Sequence, residues 1–545
     1  MTSSNSPTGG AAPTGTEPAG TEPTATGAPP TGTKPTPTGT KPTPAGSAVA
    51  VGQPPPGWPI APVEPPPWIR VDLASPITGG LVLLAVGIGL VGDLAVRSGL
   101  VGLAGALLVV ATSAALLVSG RLRTRQSMAL VALAPLFGGW LALRSSAWLL
   151  PLDLVAAFGL LVVGTSLSSG GSVTNLSLAN LVARAWHAGL QAFAVPGSLV
   201  RLAGGHRKRN GNSVTWAVVR GMLLATPVVL LLGVLLASAD AVFASMVSFE
   251  FNGGVAVEHV FVVVAAAWVF LALLRVASAV APAALPAPKA RLGAVEALVV
   301  LASVIVLFGG FAVTQAVAVV GGEQYVQQTT GLTYAEYARS GFFQLLWVAA
   351  LTVGGVLALR AATDRREPRA ARRFTVLSCL VCGLTVLIVA VAVRRLALYS
   401  EAYGLTMLRL YCTIFAVWIG VVLVLLIAWL AGLGRGRAWF APVAAVCGLA
   451  LLFGLNVANP EAYVARTNLE RQAVVELDTE YLTSDLSDDA VPAIVERLPN
   501  LEAGTREDIL DELCADRRPG GYTGWAAWNL SQETAKDQRA SVCNR

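Results

Sequence analysis

The chain reads as all-α: a polytopic bundle of transmembrane helices, preceded by a long polar tail and followed by a small helical domain. Three observations carry that reading. Of 545 residues, 54% are hydrophobic and only 13% charged, with a mean hydropathy of +0.64, outside the range of soluble globular chains. Apolar stretches of about twenty residues recur, each long enough to cross roughly 30 Å of hydrocarbon as a helix. The basic residues sit in short links between these stretches, where the positive-inside rule places them. The net charge of +6 therefore points to membrane topology, with the lipid bilayer as partner and no nucleic acid.

Residues 1–70 are mostly Pro, Thr, Gly and Ala, with "TGTKPTP" in tandem from Thr31 to Pro44 and "PPPGWP" and "EPPPWIR" after it. So little apolar surface cannot offset the entropy of ordering, so this segment is expected to be disordered with polyproline II character. It serves either as a tether or as a docking site for a proline-reading domain or a kinase.

By the length criterion about eleven spans follow, near 77–96, 99–119, 127–143, 147–167, 216–238, 256–278, 294–320, 343–360, 374–393, 407–430 and 439–458. Together they make a membrane domain over 71–458. Arg121, Arg123 and Arg125, then Arg201, Arg207, Lys208 and Arg209, then Arg275, Lys289 and Arg291, and finally Arg360 to Arg373 with Arg435 and Arg437, all fall on one side when alternate links are counted. That side is expected to be the cytoplasm, with the N-terminus inside and the C-terminus outside.

Two links carry structure of their own. Within a cytoplasmic segment 170–215, "NLSLANLVARAWHAGLQAF" repeats Leu178, Leu181, Val182, Ala185, Trp186, Leu190 and Phe193 at helical spacing opposite Arg184, His187 and Gln191. That pattern predicts an amphipathic helix on the inner membrane face, ended by Pro196. Outside, "GLTYAEYARSGFFQ" holds a Thr-x-x-Glu capping box at Thr333 and Glu336, which predicts a helical extension above the eighth span. After Asn459 and Pro460 the composition turns charged, and residues 459–545 read as a small external helical domain, with a second capping box at Thr505 and Asp508.

The strings "RGMLLATPVVLLLGVLLASADAVFASM", "GLTYAEYARSGFFQL", "YSEAYGLTMLRLYCTIFAVW", "NVANPEAYVARTNLERQ" and "LDTEYLTSDLSDDAVPAI" occur in this order. In them the chain resembles a family of bacterial membrane proteins catalogued as domain of unknown function 4173, close to number 4153. The resemblance implies a multi-pass protein of the bacterial plasma membrane and carries over no catalytic residue.

His187, His206 and His259 stand far apart without Cys or carboxylate partners at ligand spacing, so no metal site is expected. Cys379 and Cys382 form C-x-x-C inside a predicted span, where small buried hydrophobes are the simpler reading. No Walker loop, dinucleotide fingerprint, HExxH or G-x-S-x-G occurs, and no cofactor is called for. Glycines within spans are expected to let helices approach closely.

Asp93, Asp153, Asp240, Glu296 and Gln315 are polar residues in or near spans. Of these Asp153, just after Pro151, lies deepest and is the intramembrane candidate, while Glu296 suits a helix N-terminus. On the outer side stand Arg394, Arg395 and Arg409 with Tyr399, Glu401 and Tyr403, together with Tyr334, Glu336 and Arg339 from another link. These are the candidate external site, a mouth that would bind an anionic ligand. If the tenth span begins early, Arg395, Tyr399 and Tyr403 share one face, Glu401 and Arg409 another, and Gly404 interrupts the helix. The alternative is a structural network clamping the external domain to the bundle. Cys514 and Cys543, the only cysteines of that domain, are expected to form a disulfide.

Three functions remain open: moving or binding a small or anionic envelope-related solute, a scaffold or envelope sensor linking tail and external domain, and a membrane enzyme acting on an envelope lipid or glycan.

Overall fold

In the computed structural model, the described residues are 77–205, 253–280, 292–330, 341–434, 438–471, 477–515 and 524–543, with Val229, Leu232 and Leu236. The tail at 1–70, the expected span at 216–238, Asp240, and the extension with Thr333, Tyr334, Glu336 and Arg339 lie outside them. Among the described residues, nine helices are long and apolar enough to cross a membrane, and Leu103–Val118 is a shorter apolar helix. The chain is thus a multi-pass helical membrane protein.

The membrane helices are α1 (Gly79–Arg97), α2 (Leu103–Val118), α3 (Arg125–Gly138) continued by the short α4 (Trp140–Leu143), α5 (Leu150–Leu167), α8 (Gly253–Ser278), α9 (Ala294–Thr330), α10 (Phe342–Ala362), α11 (Pro368–Tyr403), α12 (Met407–Leu430) and α13 (Phe440–Ala458). Between α5 and α8 lie α6 (Leu178–Phe193) and α7 (Val195–Gly205). Among the described residues four α-helices follow the last span: α14 (Pro460–Glu470), α15 (Val491–Arg497), α16 (Ala503–Cys514) and α17 (Leu530–Cys543).

The membrane helices pack into two cores. One is built on Ile88, Leu116, Phe137, Leu161 and Phe270 from α1, α2, α3, α5 and α8. The other is built on Leu301, Ala349, Val381, Leu423 and Phe440 from α9 to α13. Since lipid tails are as apolar as these side chains, packing depends on close approach. At Gly89 an added Cβ would overlap the Val263 carbonyl, and at Gly92 it would meet Ala266. Small residues of α1 thus let α8 lie directly against it, as expected of the span glycines.

α13 belongs to both cores, with Phe440 in the second and Leu452 in the first. Its C-terminal end lies against α5, and aromatic pairs cross this seam: Trp148 stacks on Tyr411 with centroids 5.4 Å apart, and Trp140 meets Phe453 edge-on at 5.8 Å.

The helices after Asn459 have a core of their own in Val464, Leu469, Leu482, Ile494, Ile509 and Ala535, which also takes in Met407 at the start of α12. A disulfide joins Cys514 on α16 to Cys543 on α17, with Cα atoms 5.6 Å apart. The capping box at Thr505 is not used: α16 starts at Ala503 behind Glu502, which leaves Thr505 within the first turn. Glu296 does serve a helix start, accepting the Gly293 N–H at 2.8 Å.

α6 is amphipathic and ends before Pro196, but the chain continues directly into α7. Its polar face is held by the fully buried Arg275 of α8, which donates to Gln191 at 2.8 Å and to Ser198. Arg184 closes the end of α5 by donating to the carbonyls of Ser166 and Gly170 at 2.6 and 2.8 Å. Burial and the two neighbouring guanidiniums hold His187 below its ordinary range.

Candidate functional site at the seam between two helical cores

Asp153 stands in the first turn of α5 and is fully buried. Asn456, equally buried near the end of α13, donates through Nδ2 to Asp153 Oδ1 at 2.9 Å and to the Leu452 carbonyl at 3.0 Å. The pair joins the two cores. Asp153 Oδ2 and Asn456 Oδ1 are buried without a hydrogen-bond partner. Native interiors leave few polar atoms in that condition. Ser146 Oγ and the Tyr411 hydroxyl are buried nearby.

The link from α4 to α5 runs from this pair to the helices that follow Asn459. Asp489, buried ahead of α15, accepts the backbone N–H groups of Ser145 and Ser146 on Oδ2 at 3.3 and 3.1 Å, and lies 3.8 Å from the Arg144 guanidinium. Arg144 also donates from Nε to the Asn456 carbonyl at 2.9 Å, so one side chain connects the end of α13 to the C-terminal helices. Asn459, in left-handed backbone conformation between α13 and α14, caps α14 by accepting the Ala462 N–H at 3.1 Å and donates to the Asp489 carbonyl at 2.9 Å. The motif Asn-Pro suits such a start, with the cap first and Pro at the first helical position. Glu461 is buried beside it and accepts the Ser487 N–H at 2.6 Å.

Further out, Asn529 donates to the carbonyls of Leu141 and Arg144 at 3.0 and 2.8 Å. The Leu103 N–H donates to the Trp528 carbonyl at 2.9 Å. The C-terminal helices are therefore fixed to both cores: through α14 and Met407 to the second, and through the 144–146 link and Asn529 to the first. Two carboxyls in this joint carry a cost of burial. Burial pushes Asp489 and Glu461 above the usual carboxylate range, against the pull of the Ser531 hydroxyl on the first and of the Ser146 and Ser487 hydroxyls on the second.

The residues of the outer arginine and tyrosine group sit differently from the expected arrangement. Arg394, Arg395, Tyr399, Glu401 and Tyr403 lie on the last turns of the ninth span's helix, α11, rather than on an early start of the tenth. At 36 residues α11 is about 54 Å long, far beyond the hydrocarbon thickness. Gly404 ends it at φ 79°, as the break expected there requires. Arg409 then folds back instead of facing away from the tyrosines: its guanidinium lies 4.1 Å from the centroid of the Tyr399 ring and donates to the carbonyls of Tyr403 at 3.0 Å and of Gly404. Arg471, just after α14, donates to the Ser400 and Glu401 carbonyls at 3.3 and 3.0 Å. Two guanidiniums thus satisfy carbonyls that the helix end leaves open. Arg395 donates to Gln315 of α9 at 3.1 Å. Asn468 binds both backbone groups of Leu405, at 2.8 and 2.7 Å. Tyr403, Asn468, Arg471, Asp478 and Tyr481 line a shallow crevice there.

Asp93, singled out with the other polar span residues, accepts from His259 at 2.7 Å, and Arg97 lies 2.9 Å from the other ring nitrogen. Cys379 and Cys382 are free thiols packed within the second core. Among the described residues no group of three or more His, Cys, Asp or Glu is placed to hold a metal ion. Asn456, Glu461 and Asp489 were not legible as site residues. The one local signal was Asn456, an amide inside the apolar run "LLFGLNVA".

No curated protein and no solved structure matches the chain. Residues 126–497 match the family described as domain of unknown function 4153, a region that runs from the start of α3 through the seam and its polar joint to the end of α15. The chain belongs to that family of domain of unknown function 4153 proteins.

Proposed function

We propose that this protein moves a small solute across the plasma membrane of a bacterium, by displacement of its two helical cores about the seam at Asp153 and Asn456. The observation that carries the reading is a fully buried ionisable side chain between two separately packed helical bodies. An ionisable group at membrane depth is costly and by default marks a pathway. Helical bodies meeting around such a group suit alternating access. The N-terminus lies in the cytoplasm and the external domain outside, on the strength of the charge asymmetry of the links. A cytoplasm-only reporter fused after Arg545 is then silent, and activity there would reverse the orientation.

A second reading, an envelope sensor, is favoured by the external domain's attachment to both cores. An anionic ligand at the crevice by Tyr403 and Arg471 belongs to either reading, although Arg409 and Arg471 already serve the end of α11. Metabolite and lipid profiling of a deletion strain separates the classes. Accumulation of one solute on one side of the membrane supports transport, a changed transcript profile with unchanged solutes supports sensing, and a missing envelope glycolipid would point to an enzyme.

A further inference from the structure

The seam has an unusual chemical composition. Asp153 Oδ2 and Asn456 Oδ1 are oxygen acceptors, both fully buried, and neither has a donor. The Asn456 amide N–H fixes the pair by binding the other carboxylate oxygen. The Tyr411 hydroxyl is a further buried oxygen within electrostatic reach of Asp153, and also of Glu461 and Asp489. Ser146 Oγ is buried on the Glu461 side. At the pair itself Asp153 carries the one formal charge, beside the neutral amide of Asn456. A lone carboxylate at low dielectric is strongly destabilised unless a positive charge joins it. Oxygen donors of this kind suit a small hard cation. Arg144 does not supply that charge, because its donors go to the Asn456 and Val457 carbonyls and it lies toward Asp489.

We propose that Asp153 and Asn456 form a binding site for a small hard monocation, a proton or a sodium ion. The site also reaches the external domain. The Asp153 N–H donates to the Leu149 carbonyl, the N–H groups of Leu149 and Leu150 donate to the Ser146 carbonyl, and the Ser146 N–H donates to Asp489. From Asn456 the chain passes within one turn to Asn459, which donates to the carbonyl of the same Asp489. Filling or emptying the seam thus acts on both ends of the joint that holds the external domain. This deepens the transport reading by naming the coupling ion, but binding can be read without any flux, so the two stand or fall separately.

The test uses full-length protein in detergent, with thermal unfolding followed by tryptophan fluorescence, under sodium chloride or choline chloride at equal ionic strength and across pH. Stabilisation by sodium at alkaline pH with none from choline identifies sodium. Stabilisation by acid, independent of sodium, identifies the proton when it persists in Asp489→Asn with Glu461→Gln, because those two buried carboxyls give the joint an acid dependence of its own. Saturation should raise the midpoint by about 2–4 °C. Asp153→Asn, which keeps shape and hydrogen bonding, should lose the sodium response, or the part of the acid response that does not come from Asp489 and Glu461. Asn456→Leu, which keeps the charge and removes the amide oxygen, should weaken the apparent affinity at least about tenfold. No response of the wild type to either ion, or an unchanged response in Asp153→Asn or Asn456→Leu, overturns the proposal.

Discussion

Replacing Asp489 by Ala should release the C-terminal helical domain from the membrane bundle, whereas Asn at the same position should largely preserve the attachment. The carboxylate takes two N–H groups of the 145–146 link at 3.3 and 3.1 Å, and Ser146 is fully buried. Removing the acceptor strands these donors, each at about 1–2 kcal/mol. It also removes the Arg144 pairing, which at 3.8 Å adds about 0.5 kcal/mol or less because Arg144 retains two backbone carbonyls. The loss is therefore about 3 kcal/mol, or roughly a hundredfold in the docked-to-released ratio. In Asp489→Asn the side-chain amide would offer a carbonyl to the same two donors and relieve the cost of a buried charge, so that change should cost about 1 kcal/mol or less. Limited proteolysis of the purified protein under graded denaturant measures the difference. Equal resistance of the Ala variant and the wild type would refute the assignment of Asp489 as the joint. Equal loss in both variants would show that charge, and not the acceptor, holds the domain.

Three further outcomes are expected. Because burial raises Asp489 and Glu461 above their ordinary values of 3.8 and 4.5, the docked state binds more protons than the released one. Attachment should be strongest in acid and weaken as pH rises above that range through the raised values, a slope that Asp489→Asn should reduce and that proteolysis across pH will read. Opening the disulfide by Cys514→Ala with Cys543→Ala should destabilise the C-terminal helical domain by about 3.6 kcal/mol on the chain-entropy relation for a separation of 29 residues. Unchanged denaturant resistance would remove it from the stabilising contacts. Arg409→Gln should cost about 1–2 kcal/mol through lost capping and ring stacking, with a matching loss of membrane abundance. Normal abundance with lost function would instead favour a ligand at this arginine.

What was legible in the sequence is what local chemistry determines. Length and apolarity specify a span without reference to its neighbours, which is why the described spans fall where the apolar runs are. The 3.6-residue period specifies α6, and Asn459 with Pro460 specifies the start of α14. The seam was only half legible, because Asp153 and Asn456 lie 303 residues apart and nothing local pairs them. Asp489 looked like one more acidic residue of a solvated segment, and only its position beneath the 145–146 link makes it a buried acceptor. Arg409 shows the intermediate case. Its need for carbonyls or a carboxylate follows from its depth, but the choice of carbonyls depends on α11 running to Tyr403 before Gly404 turns the chain. The Thr505 motif was misread because an earlier start at Ala503 was equally open to the helix.

The movement of the two cores can be measured without knowing the solute. The C-terminal helices hold the Asp153 end of the two cores together, so separation must occur at the opposite end, where Met128 lies in the first turn of α3 and Leu433 follows α12, both exposed. Spin labels at these two positions, read by pulsed dipolar spectroscopy in lipid, should give two distance populations whose ratio changes with sodium or pH and stops changing in Asp153→Asn. A single distance, indifferent to ion and to the substitution, would contradict moving cores and leave a rigid scaffold.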